Sequence, residues 1–331
     1  MNRTLTAALV GIIGLIVLFL GSLMIGTSWI PLSTVLDYMF DYSPTVKEHV
    51  ILHVLRMPRA LAVLCIGANL SIAGCIMQVL TRNPLASPSI FGINAGASFM
   101  IVLFTIVFPT VSGLALAGAG FAGGLLTVSI VLLMSFAMRG GQAEVRMALI
   151  GVVVQALLSS FTQGLLIFNE ESAGKIIFWL AGSAAGVKWE EINLLLIFSL
   201  TGLFMALLIS KSLSLLNLGE DIARGLGQNI WTIRIVGSVI VIILAGISVS
   251  VVGPIGFVGL IVPHITRYLL GTDYRLLIPF SALFGAILLT VADIASRFVH
   301  FPSETPVGII TALIGAPYFV YLARRQSRSA S

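Results

Sequence analysis

The sequence predicts an all-α polytopic membrane protein with about ten transmembrane helices. Three observations carry this: charge is scarce, apolar stretches of crossing length recur along the chain, and the basic residues are unevenly shared between the connecting segments. Of the 331 residues, 58% are hydrophobic and 9% charged, against about 25% charged in a soluble domain. Water does not wet a surface so poor in charge, so its solvent is the lipid bilayer, and a mean hydropathy of +1.09 agrees. Length is therefore counted in crossings of about 20 residues, and residues 1–331 are read as a single transmembrane domain.

The first apolar run, Thr4 to Gly26, is about 34 Å long as a helix at 1.5 Å per residue. The apolar core of a cleaved signal is shorter, so this run is read as a retained first crossing. Further spans fall at 60–80, 92–109, 113–138, 147–168, 192–210, 232–252, 276–298 and 307–323. A shorter stretch at 256–270 holds Pro263, His264 and Arg267, and hydrophobic periodicity does not decide whether it crosses. Topology decides it. With ten spans and a cytoplasmic N-terminus, twelve of the eighteen Lys and Arg lie on the inner side, as the positive-inside rule requires. With nine, Arg324, Arg325 and Arg328 would face outward. Ten spans place both termini in the cytoplasm of a multi-pass cytoplasmic-membrane protein.

Several function classes are excluded by what is missing. The +5 formal charge forms no basic stripe, so no nucleic acid is expected as a partner. No G-x-x-x-x-G-K-[ST] occurs, and Gly174-Lys175 is followed by isoleucine, so the chain has no phosphate-cradling loop of its own. Cys65 and Cys75 lie in apolar sequence without metal-ligand spacing and read as small buried hydrophobes. His53, His264 and His300 form no ligand pair. Neither a metal nor another cofactor is expected, and no nucleophile–base arrangement suggests an enzyme. A secondary transporter needs intramembrane carboxylates for its coupling ion. Asp293 alone qualifies, and Arg297 follows it four residues later on the same helical face. That pair reads either as a local ion pair or as a way of presenting the Arg297 charge outward.

Four segments remain as candidates. Arg56-Met57-Pro58-Arg59 places two arginines just outside the second span, against the charge trend, where their planar forks suit carboxylates. Gln78 to Pro88 is an inner turn with two prolines, rigid enough to line a gate. The loop 168–191 carries Glu170, Glu171, Glu190 and Glu191 around an apolar stretch, Ile176 to Leu180, which reads as a short interfacial helix. The longest inner loop, 215–229, mixes apolar and charged residues. Glu220 and Asp221 suit a helix N-terminus, and Gly225 and Gly227 suit its end. A short amphipathic helix held outside the membrane suits docking onto a soluble protein. Glycine, at 33 residues, mostly serves close helix packing in lipid.

In order and spacing these segments resemble the FecCD family, the permeases of type II ATP-binding-cassette importers for siderophores, haem and cobalamin. The resemblance is carried by Arg56-Met57-Pro58-Arg59, the run Gly74 to Ala97, Ala223-Arg224-Gly225-Leu226-Gly227, the run Gly253 to His264, and Pro306-Val307-Gly308 with Gly315-Ala316-Pro317. It implies ten spans, with segments two to five and seven to ten as an inverted repeat. It also implies a second permease subunit, the same or homologous, around one central pathway, two cytosolic ATPase subunits and an extracytoplasmic substrate-binding protein. By the same resemblance Arg56, Arg59 and Arg297 dock the binding protein, Asn83 and Leu85 form the inner gate with Gly141 and Gln142 beside it, and Glu220, Asp221, Ala223, Arg224, Leu226 and Gly227 couple to the ATPases. Phe161-Thr162-Gln163-Gly164 and Phe178 to Ser183 look most like the siderophore members, with haem or cobalamin as the alternative cargo.

Overall fold

The computed structural model describes residues 3–137, 143–301 and 303–329, and every regular element among them is helical. In order these are α1 (Arg3–Met24), α2 (Leu32–Phe40), α3 (Lys47–Ile51), α4 (Met57–Leu80), α5 (Ile93–Val107), α6 (Gly113–Ala137), α7 (Ala143–Ile167), α8 (Glu170–Leu180), α9 (Trp189–Asn217), α10 (Glu220–Gly225), α11 (Ile230–Val252), α12 (Val258–Leu270), α13 (Tyr274–Val299) and α14 (Val307–Ser329). Among the described residues seven helices are long and apolar enough to cross a membrane, and three shorter apolar ones accompany them: α5, α12 and Val307–Leu322 of α14. These ten fall on the ten stretches expected from hydropathy.

Boundaries differ where charge or proline misled the reading. The second span does not begin after Arg59. Helix runs unbroken from Lys47 to Leu80, so Arg56-Met57-Pro58-Arg59 lies inside it rather than before it. Pro58 has no N–H to return to the preceding turn, and the chain is π-helical over Leu52–Arg56, a widening that tolerates such a residue. Similarly, α9 continues through Lys211 to Asn217. The short α2 was not expected. The stretch Ile176 to Leu180 is helical, as the second half of α8.

The core is built around α4, which packs against α9, α11, α12 and α13. Nearly all of α4 is buried, whereas bundle-surface positions such as Val17, Leu133, Val153 and Leu208 are 62–68% exposed. In water that inversion would be untenable; in lipid it is the expected solvation. Lipid does not drive helices together by the hydrophobic effect, so close backbone approach and polar contacts must do so. Asn69 of α4 donates to Ser199 Oγ of α9 at 2.8 Å and Ser248 Oγ of α11 at 3.3 Å. Gly67 of α4 meets Gly285 of α13, and Gly74 of α4 meets Gly259 of α12, so closely that a Cβ on either α4 glycine would overlap the opposing backbone. Gly74→Leu is therefore expected to cost about 3 kcal/mol by overpacking, read as a lowered melting temperature of the detergent-purified protein. Gly14→Leu, which meets nothing within 4 Å, is expected to leave that temperature unchanged.

Candidate functional site

The three candidate arginines converge at one end of the bundle. There α1 stops at Met24 and leaves its last carbonyls without intrahelical partners. Two arginines from other helices take them. Arg56 Nη1 donates to Leu23 O at 2.7 Å and Met24 O at 2.8 Å, and its Nη2 donates to Ser28 O and Oγ. Arg297 Nη1 donates to Ser22 O at 2.7 Å and to Ile25 O, and its Nη2 donates to Ser22 Oγ at 2.9 Å. Both cations also meet the negative end of the α1 dipole. Arg59 Nε donates to Asp293 Oδ1 at 2.8 Å and its Nη1 to Glu304 Oε2 at 2.6 Å, while Arg297 pairs with the other Asp293 oxygen.

Asp293 is thus a fully buried carboxylate between two guanidinium groups, and Arg56, Arg59 and Arg297 are 7%, 9% and 6% exposed. Of the two readings of Asp293 and Arg297, the structure realises the ion pair, and the Arg297 charge turns inward onto α1.

Beside this network lies a ring cluster of Tyr38, Tyr42, His49, His53 and Trp189, for which the four-residue spacing of His49 and His53 is the signal in the sequence. The two are one turn apart on the helix that leads into α4. Tyr38 Oη shares a hydrogen bond with His53 Nδ1 at 3.1 Å, and the Ser43 N–H donates to His49 Nδ1 at 3.2 Å. Trp189 Nε1 donates to the His53 carbonyl at 2.8 Å. Burial raises the Tyr38 phenol above its ordinary pKa, with Tyr42 adding to the shift. These contacts link α2, α9 and the helix that leads into α4, and among the described residues no group of three or more His, Cys, Asp or Glu is placed to hold a metal.

The gate and coupling candidates meet at the opposite end. After α4 the chain turns through Arg82, whose φ of 49° is unusual for a side-chain-bearing residue. Asn83 fixes the turn: its N–H donates to Gln78 O at 3.1 Å, its carbonyl accepts from Ala86 N at 3.0 Å, and its Oδ1 accepts from Leu85 N at 2.9 Å. Leu85 packs on Leu260 and Ile261 of α12 and Leu322 of α14, together with Phe257 and Tyr318. A cavity of about 430 Å³ opens beside the turn, lined by Gln78, Arg82, Arg267 and Tyr274 among others. Gly141 and Gln142, the second pair of gate candidates, lie outside the described residues.

Four of the coupling candidates, Glu220, Asp221, Ala223 and Arg224, lie in α10, which starts at Glu220 and Asp221 as their charges favour, and Leu226 and Gly227 follow directly after it. Ala223 is buried on the inner side of α10, the Glu220 side chain is 18% exposed, and Ile222 and Leu226 are 51% and 61% exposed. Gly227 takes a positive φ of 79° that ends the turn.

A bundle of about ten apolar helices with a buried charge network at one end and a polar turn packed against a short external helix at the other defines a multi-pass membrane protein. The chain belongs to the FecCD transport family, whose model matches residues 14–325. It is 46% identical over 330 residues to the iron(3+)-hydroxamate import system permease protein FhuB of Bacillus subtilis (strain 168), covering 99% of this chain and 86% of that one. It is 45% identical to the Fe(3+)-citrate import system permease protein YfmD of the same organism, over 98% and 97% of the two chains. The Fe(3+) dicitrate transport system permease protein FecC of Escherichia coli (strain K12) is 37% identical over 86% of each. A solved structure described as an inward-facing metal-chelate type ABC transporter superposes with a TM-score of 0.81 at 31% identity, over 95% of this chain and 97% of that one.

Proposed function

We propose that this chain is the permease subunit of an ATP-binding-cassette importer that carries a ferric siderophore across the cytoplasmic membrane. The observation that carries the reading is near-full-length similarity to several iron-chelate permeases, joined to a helical arrangement shared with a metal-chelate transporter. Residues 1–331 act as one permease unit with both termini in the cytoplasm. A second permease subunit completes the pathway, two separate ATPase subunits hydrolyse ATP, and an extracytoplasmic binding protein delivers the chelate.

In this reading the end holding Arg56, Arg59 and Arg297 faces outward and receives the binding protein. The three arginines serve docking from within, because they fix the end of α1 and the Glu304 segment that form the rim. Asn83 and Leu85, with Gly141 and Gln142, form the inner gate, and α10 meets the ATPases. A cargo delivered already bound needs no tight site in the permease, only a wide, unreactive lining.

The test is radioactive iron uptake by a strain lacking this gene and any paralogous permease, offered a ferric hydroxamate, ferric citrate and a ferric catecholate in turn. Uptake of at least one is expected to fall to background and to return when the gene is restored. Unchanged uptake of all three would overturn the reading.

A further inference from the structure

The inner end contains a charge cluster that the coupling role assigned to α10 does not by itself explain. Glu220, the first residue of α10, points away from the exposed face of that helix. Its Oε1 forms an ion pair with Arg82 Nη2 at 3.1 Å and accepts from Arg234 Nη2 at 2.6 Å, and its Oε2 accepts from Arg224 Nη2 at 3.3 Å. The Arg224 side chain is 64% exposed and four residues away on the same helix, so that contact contributes little. The Arg234 side chain is 20% exposed and its contact is firmer; the Arg82 side chain is 50% exposed, so that pair matters for what it connects rather than for the energy it contributes. Arg234 stands at the base of α11, and Arg82 belongs to the turn that holds Asn83 and Leu85. The Glu220 side chain, 18% exposed, therefore ties α10 to the gate turn through Arg82 while Arg234 holds it against α11.

The far side of the turn is engaged as well. Leu85 sits among Leu260, Ile261, Leu322, Phe257 and Tyr318, so a shift of Arg82 is passed within three residues to α12 and α14. Backbone strain marks the same path. Among the described residues the non-glycine positions with positive φ are Arg82 and Phe257. One begins the turn and the other belongs to the cluster that receives Leu85. Strain of this sort persists only where surrounding structure holds it, and it collects at switching elements.

We propose that Glu220 and Arg82 form the joint through which movement of α10 is delivered to the gate turn, making both of them positioning residues for transport rather than contacts to the ATPase. This rests on the reading of α10 as the ATPase-facing helix. A two-residue ionic joint suits the task because it holds its partners together without a covalent link and lets the turn pivot as α10 tilts. A joint differs from a static brace in what its loss does. Losing a brace lowers stability, hydrolysis and transport together. Losing a joint lets hydrolysis continue while transport per ATP falls.

The experiment uses the whole importer, purified with its ATPase subunits and reconstituted in proteoliposomes with its binding protein. The probe is whichever radioactive ferric hydroxamate or ferric citrate the uptake panel shows to be carried. Leu226→Glu, at the exposed residue that caps α10, is expected to lose the ATPase subunits during purification. If it keeps them, the ATPase-facing reading of α10 falls and the joint falls with it. Glu220→Gln and Arg82→Gln are expected to retain the ATPases, to melt within a few degrees of the parent, and to transport about tenfold less iron per ATP hydrolysed. The double variant is expected to lose no more than either single one, because the two side chains act as one unit. Arg82→Lys, which keeps the charge, is expected to recover most of the ratio. If the two single losses multiply in the double variant, or if hydrolysis and transport fall together with the melting temperature, the joint is overturned while the docking role of α10 stands.

Discussion

Asp293→Ala is expected to destabilise the folded protein by about 3–5 kcal/mol, the usual cost of removing one partner from a buried ion pair. The magnitude follows from what would be left behind. Arg59 and Arg297 both pair with Asp293, which is 0% exposed. Without it, two guanidinium groups share a site from which water is excluded, with Glu304 remaining for Arg59 and only neutral oxygens for Arg297. The Arg297 side chain would then be drawn away from α1, whose C-terminal carbonyls it caps together with Arg56. The damage is expected to spread to α1, which has few other buried residues.

Asp293→Asn keeps the shape and some hydrogen bonding, and should fall between the alanine variant and the parent. The decisive comparison is Arg59→Met with Asp293→Leu. Replacing every member of a buried charge group by apolar residues is often near neutral; this double variant still leaves Arg297 without its carboxylate, so it should recover only the part of the loss that the stranded Arg59 causes. The measurement is the thermal midpoint of detergent-purified protein by intrinsic tryptophan fluorescence. A midpoint for Asp293→Ala equal to the parent's would show that the network contributes nothing to the fold.

The same network shows how far the sequence could be read. The helical class and the positions of the crossings were legible, because lipid imposes one rule on every span and hydropathy reports it directly. Even the short α12 was recovered, through basic-residue asymmetry rather than periodicity. The four-residue spacing of Asp293 and Arg297 correctly placed them on one face. What spacing could not show is that Arg59, 234 residues earlier in the chain, completes the pair, or that Ser22 lies against Arg297. Those contacts depend on how α1, α4 and α13 pack, and that packing rests on glycine contacts such as Gly67 with Gly285 that carry no pairwise signal in one sequence.

A similar limit applied at the inner end. Glu220 was legible as a helix N-terminal acid because a local rule places it there. Its partner Arg82 was not, since nothing in a single chain links the turn after α4 to a loop some 140 residues on. Boundaries failed for a different reason. Arg56, Arg59 and Lys211 were read as marking the ends of spans because charge is costly in lipid, but buried partners or a route to the interface let a helix continue through such residues.

Ile222→Glu and Leu226→Glu are each expected to abolish capture of the ATPase subunits and, with it, iron uptake. Both side chains are large, apolar and more than half exposed. Ile222 lies on α10 and Leu226 directly after it, among Asp221, Arg224 and Gln228, where the surroundings are polar, so lipid does not account for their exposure. With Leu218, 60% exposed just before α10, they make a small apolar patch ringed by polar groups, the arrangement that marks a protein-binding surface. Burying two such residues in a partner's cleft gives anchors of the kind whose loss costs about 2–4 kcal/mol, or roughly 30- to 1,000-fold in affinity. A buried glutamate would add the desolvation of an unpaired charge.

The fold should not register the change, because neither side chain contributes to the core and the inward face of α10 is held by Ala223 and Glu220. The measurement is recovery of ATPase subunits with affinity-tagged permease in nanodiscs, alongside the melting temperature of the permease alone. Lost recovery at an unchanged melting temperature assigns the patch to the ATPase. Full recovery with both glutamates in place would mean that the apolar face of α10 meets something else, and the ATPase contact would then have to be sought on other segments of the same end.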